Sequence, residues 1–264
     1  MLKIKWYLLF LQSIFMWEVF FQIPVKAEQT TAVVSNKGVM NPLKICTTGG
    51  FVPFSSYANG SWIGFDIEMI KEFAKDKKVK LKIINFNIDE IFQALNDNKC
   101  DLIAAGITIT DERKKNVIFS DPYYTSGIVY LYKKLNHDLD KIQNIDLLNE
   151  GKFKVGVKLG TTNDYFAVKY LGNANILKFS DYNEVINSVK NDTVDFIIVD
   201  LSFASFMDKK SPGTFVYKST PEDHEYYAIA ARKNSQELIQ NFNEFLKKWH
   251  SSGKYEKVLR KYFN

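Results

Sequence analysis

The densest run of chemically useful side chains is Gly106-Ile107-Thr108-Ile109-Thr110-Asp111-Glu112-Arg113-Lys114-Lys115. It follows an apolar stretch, so a hydroxyl, a flexible backbone position and a guanidinium come together where a buried strand ends. That combination suits a carboxylate. The planar fork of Arg113 engages both oxygens, and the Thr108 hydroxyl and backbone N–H groups fill the remaining lone pairs. The same residues also read as a capped helix start followed by a solvated charge run. A second group is Gly49-Gly50-Phe51-Val52-Pro53-Phe54, whose two aromatics form either a flat wall for a ligand or a pair of buried anchors. Asp200 closes the apolar run 196–199, where it can hold an ammonium or cap a helix starting at Leu201. Both alternatives stay open on the residues alone.

Other chemistries find no support. His137, His224 and His250 are far apart and lack metal-ligand spacing. There is no G-x-S-x-G elbow, and residues 156–162 lack the Lys-Ser/Thr of a phosphate loop. Thus neither a catalytic set, a metal site nor a cofactor is expected. The excess of 35 Lys and Arg over 30 Asp and Glu is spread along the chain rather than gathered in one stripe, which argues against nucleic acid as a partner. With 46% hydrophobic and 15% aromatic residues in 264, the chain has material for a substantial core and is neither disordered nor of low complexity.

The elements that must hold these residues alternate. Short apolar runs predict strands at 43–47, 81–85, 102–105, 153–158 and 195–199. Helical spacing predicts helices at 65–75, with Asp66 as cap, from Asp89 onward, at 161–171 and at 183–190. Two further helices follow, one over 237–249 and one after Gly253. This is an α/β pattern. The windows around Glu90 and Asp101 lie without a gap on those around Glu184 and Asp195, which suggests two lobes of one architecture. Ligands of open α/β sheets sit beyond the carboxyl ends of the strands. Those ends carry Thr48 and Gly106 in the first lobe, and Lys158 and Asp200 in the second.

The segment 1–27 begins with Lys3 and Lys5, continues with an apolar run and ends on Val25-Lys26-Ala27. It reads as a secretory signal cleaved after Ala27, with 28–42 as a flexible leader, and so places the protein outside the cytoplasm. Cys46 and Cys100 each border a predicted strand; the expectation is two buried thiols, although neighbouring strands would allow a bridge.

Taken together, Phe51-Val52-Pro53-Phe54, Gly64-Phe65-Asp66-Ile67, the run from Ala105 to Lys114, Phe119-Ser120-Asp121-Pro122-Tyr123-Tyr124, Val157-Lys158-Leu159-Gly160-Thr161-Thr162 and Gly253-Lys254-Tyr255 resemble a known family. They are similar to the extracytoplasmic (periplasmic) amino-acid-binding proteins of ABC transporters, polar amino acid group, and most of all to its glutamine-type binders. The resemblance covers residues 43–264. It implies a two-lobed periplasmic-binding-protein-like fold in which two hinge strands, near 127–132 and 226–231, connect lobes that close over a free amino acid in the cleft between them. Lobe 1 then takes 43–130 and 226–264, and lobe 2 takes 131–225. The implied partners are that amino acid and an ABC permease in the inner membrane; the implied state is a monomer without cofactor.

Carried over by position, Arg113 grips the α-carboxylate with help from Thr108 and the backbone of Gly106 and Thr162, beside Thr161. Asp200 and the backbone of Ala105 and Gly106 hold the α-ammonium, Phe51 stacks on the ligand, and Lys158 faces its side chain. Three positions depart from the pattern. Thr48 stands where many members carry an acid, Ile88 where an aromatic usually forms a second wall, and Thr162 where the glutamine type has Gly. Two other roles fit the resemblance: a cyclohexadienyl or arogenate dehydratase on the same scaffold, and an amino-acid sensor.

Overall fold

The computed structural model describes residues 41–220 and 224–264. The expected signal segment, nearly all of the leader, and Glu222 and Asp223 lie outside the described residues. Strand β1 (Leu43–Thr47) leads into a small meander of β2 (Gly50–Phe51), β3 (Ser55–Ala58) and β4 (Ser61–Ile63). Helix α1 (Phe65–Asp76) starts at Gly64, whose φ of 131° belongs to glycine and whose missing Cβ would lie 2.1 Å from the Phe54 carbonyl oxygen. Asp66 does not cap this helix as expected. It lies fully buried in the first turn with its carboxylate directed at the Gly106 loop. Ile67, Met69, Ile70, Phe73 and Ala74 form the buried face of α1.

Next come β5 (Leu81–Asn85), α2 (Ile91–Asn96), β6 (Leu102–Ile103), the one-turn helix α3 (Asp111–Lys114) and β7 (Val117–Phe119). Asp89, expected to cap α2, stands just before its N-cap position, which Glu90 fills without a side-chain hydrogen bond. Then follow β8 (Tyr124–Ser126), β9 (Ile128–Lys133), α4 (His137–Asp140), β10 (Lys154–Lys158), α5 (Thr162–Tyr170), β11 (Asn175–Phe179), α6 (Tyr182–Lys190) and β12 (Phe196–Asp200). The chain ends with α7 (Leu201–Lys210), β13 (Phe215–Ser219), β14 (Glu225–Tyr227), β15 (Ala230–Arg232), α8 (Gln236–Ser251) and α9 (Lys254–Phe263).

Two five-stranded sheets share one plan. The first has the order β5-β1-β6-β15-β7 and the second β11-β10-β12-β9-β13. In each, three parallel strands are followed by an antiparallel one that enters directly from a connecting ribbon. That ribbon is β8 paired with β14, Glu225 opposite Ser126 and Tyr227 opposite Tyr124. It lies just ahead of the crossings that the resemblance implied at 127–132 and 226–231, where the chain has already entered the sheet strands β9 and β15 or is about to.

Helices α8 and α9 return to the first lobe. Phe242, Phe245, Leu246 and Trp249 are buried there, and Phe242 meets Phe73 of α1 edge-on. Each side chain of this size contributes about 1.5–3 kcal/mol by leaving water. Tyr255 anchors the last helix by donating to the Tyr123 carbonyl at 2.9 Å. Cys46 and Cys100 form a disulfide, contrary to the expectation of two thiols. β1 and β6 are parallel neighbours, so the end of β1 and the residue entering β6 come within 5.6 Å between Cα atoms.

Candidate functional site

All ten residues singled out in the sequence line one cavity at the carboxyl ends of the central strands. They are Thr48, Phe51, Ala105, Gly106, Thr108, Arg113, Lys158, Thr161, Thr162 and Asp200, and Ile88, Ile107 and Tyr182 complete the wall. A wider groove of about 830 Å³ adjoins it, with Ile88, Thr108, Arg113 and Thr162 on the shared border and Glu225 in the groove wall.

Arg113 sits on α3, whose N-cap Thr110 accepts its backbone N–H at 3.1 Å. The cap and the inward arginine therefore coexist. Asp111, Glu112, Lys114 and Lys115 pair with one another at the surface, while Arg113 turns inward. There its Nη1 donates to the Thr108 carbonyl at 2.9 Å and its guanidinium lies 5.2 Å from the centre of the Phe92 ring. Burial lowers its pKa, with Glu225 and Asp200 among the negative groups that offset the effect.

The loop after β6 is fixed from behind. Gly106 has φ +57°, and a Cβ on it would come within 2.3 Å of the Phe51 ring. Its N–H donates to Asp66 Oδ2 at 2.7 Å, and Tyr123 donates to the same oxygen at 2.8 Å. Burial pushes the Asp66 carboxyl up to about 7 against these two donors. Since its N–H is committed to Asp66, Gly106 has its carbonyl left to offer a ligand. This differs from the expectation that its backbone helps Arg113 on a carboxylate.

On the second lobe, Lys158 ends β10 and Gly160, at φ +77°, makes the turn into α5. Thr161 caps that helix, accepting from Asp164 N–H at 3.3 Å and donating to the Lys158 carbonyl at 2.7 Å. Thr162 thus brings the first amide of a helix to the cavity. Lys158 is only 6% exposed, and its ammonium lies 5.0 Å from the centre of the Tyr182 ring. Burial lowers its pKa, and Asp181 and Asp89 raise it. Phe51 packs its ring against Phe54 at 5.1 Å and Tyr182 at 5.2 Å, so it joins the two lobes as well as walling the cavity.

Asp200 collects three donors. Asn163 Nδ2 lies 2.9 Å and Tyr182 OH 3.2 Å from Oδ2, and Tyr227 OH donates to Oδ1. It holds the N-cap position of α7 without a side-chain hydrogen bond to that helix, so its carboxylate faces the three donors instead. Sequence reasoning did not assign Tyr182, Tyr227 or Asn163, and offered Glu225 only as one of three acids, with Glu222 and Asp223, that could swing into the cleft. Glu225 is 5% exposed on the hinge ribbon and accepts from Thr108 Oγ1 at 3.1 Å. Burial first, then the adjacent Asp200, push it up to about 8.

Two α/β lobes on a two-stranded hinge, with a buried cation and a buried anion facing one cavity, define a solute-binding protein. The chain belongs to the bacterial extracellular solute-binding proteins, family 3, which it matches over residues 43–264. It is 31% identical to a probable histidine-binding protein of Neisseria gonorrhoeae over 90% of this chain and 88% of that one. It is 30% identical to the ABC transporter glutamine-binding protein GlnH of Bacillus subtilis over 78% and 74%. Among solved structures it resembles an ancestral arginine-binding protein bound to arginine, with a TM-score of 0.79, 33% identity, and 86% and 100% of the two chains covered.

Proposed function

We propose that the protein captures one free, polar L-amino acid between its lobes and delivers it to an ABC permease at the bacterial membrane, as an exported monomer. The observation that carries this reading is the placement of Arg113 from the first lobe and Asp200 from the second around a single cavity. A free amino acid is a zwitterion whose two charges lie a few bonds apart. An enclosed charge is strongly penalised unless it is paired, so such a site selects a ligand that supplies both partners at once.

In this reading Arg113 takes the α-carboxylate in a bidentate pair with the Thr162 amide on a remaining lone pair, while the Thr108 hydroxyl, expected to help there, donates to Glu225. Asp200 takes the α-ammonium together with the carbonyls at Ala105 and Gly106. The side chain extends toward Thr48, Ile88 and Lys158. The names of the relatives, which include histidine-, arginine- and glutamine-binding proteins, support an amino acid as the ligand class.

Equilibrium dialysis of the purified protein against a mixture of labelled L-amino acids tests the reading. Retention of one amino acid at one equivalent per chain is expected; retention of none contradicts it. Loss of uptake of that same amino acid in cells lacking the protein tests the transport step.

A further inference from the structure

Glu225 occupies a position that the binding scheme does not use. It lies on the hinge strand β14, and its carboxyl reaches Thr108 of the first lobe at 3.1 Å and stands against Asp200 of the second. The Thr108 hydroxyl satisfies Oε1. Oε2 is buried without a donor of hydrogen-bonding geometry, although it sits in a wall otherwise rich in donors. A buried carboxyl oxygen next to a second carboxylate, with no donor of its own, is an arrangement that holds a proton or waits for a cation.

The groups that face Glu225 come from every element around it. Arg113 of α3 and Asp200 at the start of α7 act on it directly, Thr108 and Thr162 offer hydroxyls, and Tyr182 of α6 and Tyr227 of its own strand lie within its field. His224 precedes it and lines the adjoining groove. Arg113 is assigned to the ligand's carboxylate, and the tyrosines already donate to Asp200. With Arg113 turned to the ligand's carboxylate, the ammonium bound at Asp200 is the cation placed to meet Oε2.

Resting on the amino-acid reading above, we propose that Glu225 is a second acidic ligand of the bound ammonium, and that its proton leaves for solvent as the ammonium enters. The Oε2–H bond breaks, the proton passes to water, and an ammonium N–H donates to the vacated oxygen. Capture is then linked to pH: one proton is released per ligand bound wherever free Glu225 is protonated and bound Glu225 is not. The free carboxyl, raised to about 8 by burial and by Asp200, sets the upper end of that range. Affinity rises with pH by up to about tenfold per unit below that value and levels off above it.

Calorimetry on the purified protein tests this. The probe is the tightest binder among L-glutamine, L-glutamate and L-arginine, whose charges are constant between about pH 6 and pH 8. Titrations in buffers of different ionisation enthalpy give the protons released. About one per ligand near pH 6.5 is expected for the unmodified protein, and close to none for Glu225→Gln, which keeps the side chain's shape but cannot titrate. Thermal melting of the variant shows whether it folds, and the proton count of the unmodified protein stands even if it does not. Binding with no proton release overturns the inference and leaves the amino-acid reading intact. Proton release that persists in a folded Glu225→Gln assigns the proton elsewhere and also overturns it. Failure of all twenty common amino acids to bind overturns both.

Discussion

Three residues make separable claims about the site. Replacing Arg113 by Ala leaves the ligand's carboxylate buried without a partner, a loss of about 2–5 kcal/mol, or roughly 30- to several-thousand-fold in affinity. Calorimetry that records less than a threefold loss contradicts the role given to Arg113. In the proposed site Lys158 faces the side chain of the ligand. It is buried over Tyr182 and faces Asp89 and Asp181, whereas Glu225 stands at the far, ammonium end. Lysine and arginine should therefore bind at least about 30-fold more weakly than the best neutral or acidic amino acid, some 2 kcal/mol. Lys158→Glu should narrow or invert that order; a Lys158 that merely supports the fold would lower all affinities alike.

Asp66 makes a claim about stability. Its folded pKa of about 7 exceeds the ordinary carboxyl value of 3.8, so the folded protein binds more protons than the unfolded chain between those values. Stability from this group is highest below about pH 4, falls as pH rises and is constant above about pH 7. Asp66→Asn removes that dependence. Thermal melts should show the variant gaining on the unmodified protein from pH 4 to pH 7; a constant difference contradicts the assignment. Asp66 was misread in the sequence because an acid beside a helical stripe looks like a cap. Here Gly64 takes the N-cap place, and the carboxylate, shut off from water, finds its donors on the Gly106 loop. Glu225 was legible only as one of three acids clustered near the second crossing. Its strand has three residues, too few for any periodicity to tell a buried position from an exposed one.

Among the elements, those with long or continuous apolar runs were legible to within a residue or two. Strands β1 and β5 fall where the runs Leu43–Thr47 and Leu81–Asn85 put them, and α6 and α8 follow their apolar spacing. The meander β2–β4 and the ribbon β8–β14 were not, since strands of two to four residues bearing Ser, Tyr and Thr carry no pattern of their own. Their pairing partners specify them, and those lie far away in sequence. The disulfide belongs to this scale. Cys46 and Cys100, 54 positions apart, close a loop around the meander, α1, β5 and α2, which limits the unfolded chain. Reduction, or joint replacement of both by Ala, should lower unfolding free energy by about 2–4 kcal/mol in denaturant titrations. An unchanged midpoint would show that the bridge does not constrain the unfolded state.

At the scale of the whole molecule, the two sheets carry the same strand plan and present their carboxyl ends to one cavity, with the ribbon β8–β14 as their link. Phe51 on Tyr182 and Tyr227 on Asp200 tie the lobes and the hinge together across that cavity. In the proposed function this cation and anion recognise the two charged ends of a free α-amino acid. The most direct measurement is a thermal-shift panel of the twenty amino acids, repeated for the best of them with its N-acetyl and its carboxamide derivatives. A ligand that binds the folded form alone raises the melting temperature. The account predicts a clear rise with one polar amino acid and its loss when either end is blocked. A blocked derivative that stabilises the protein as well as the free amino acid would contradict it.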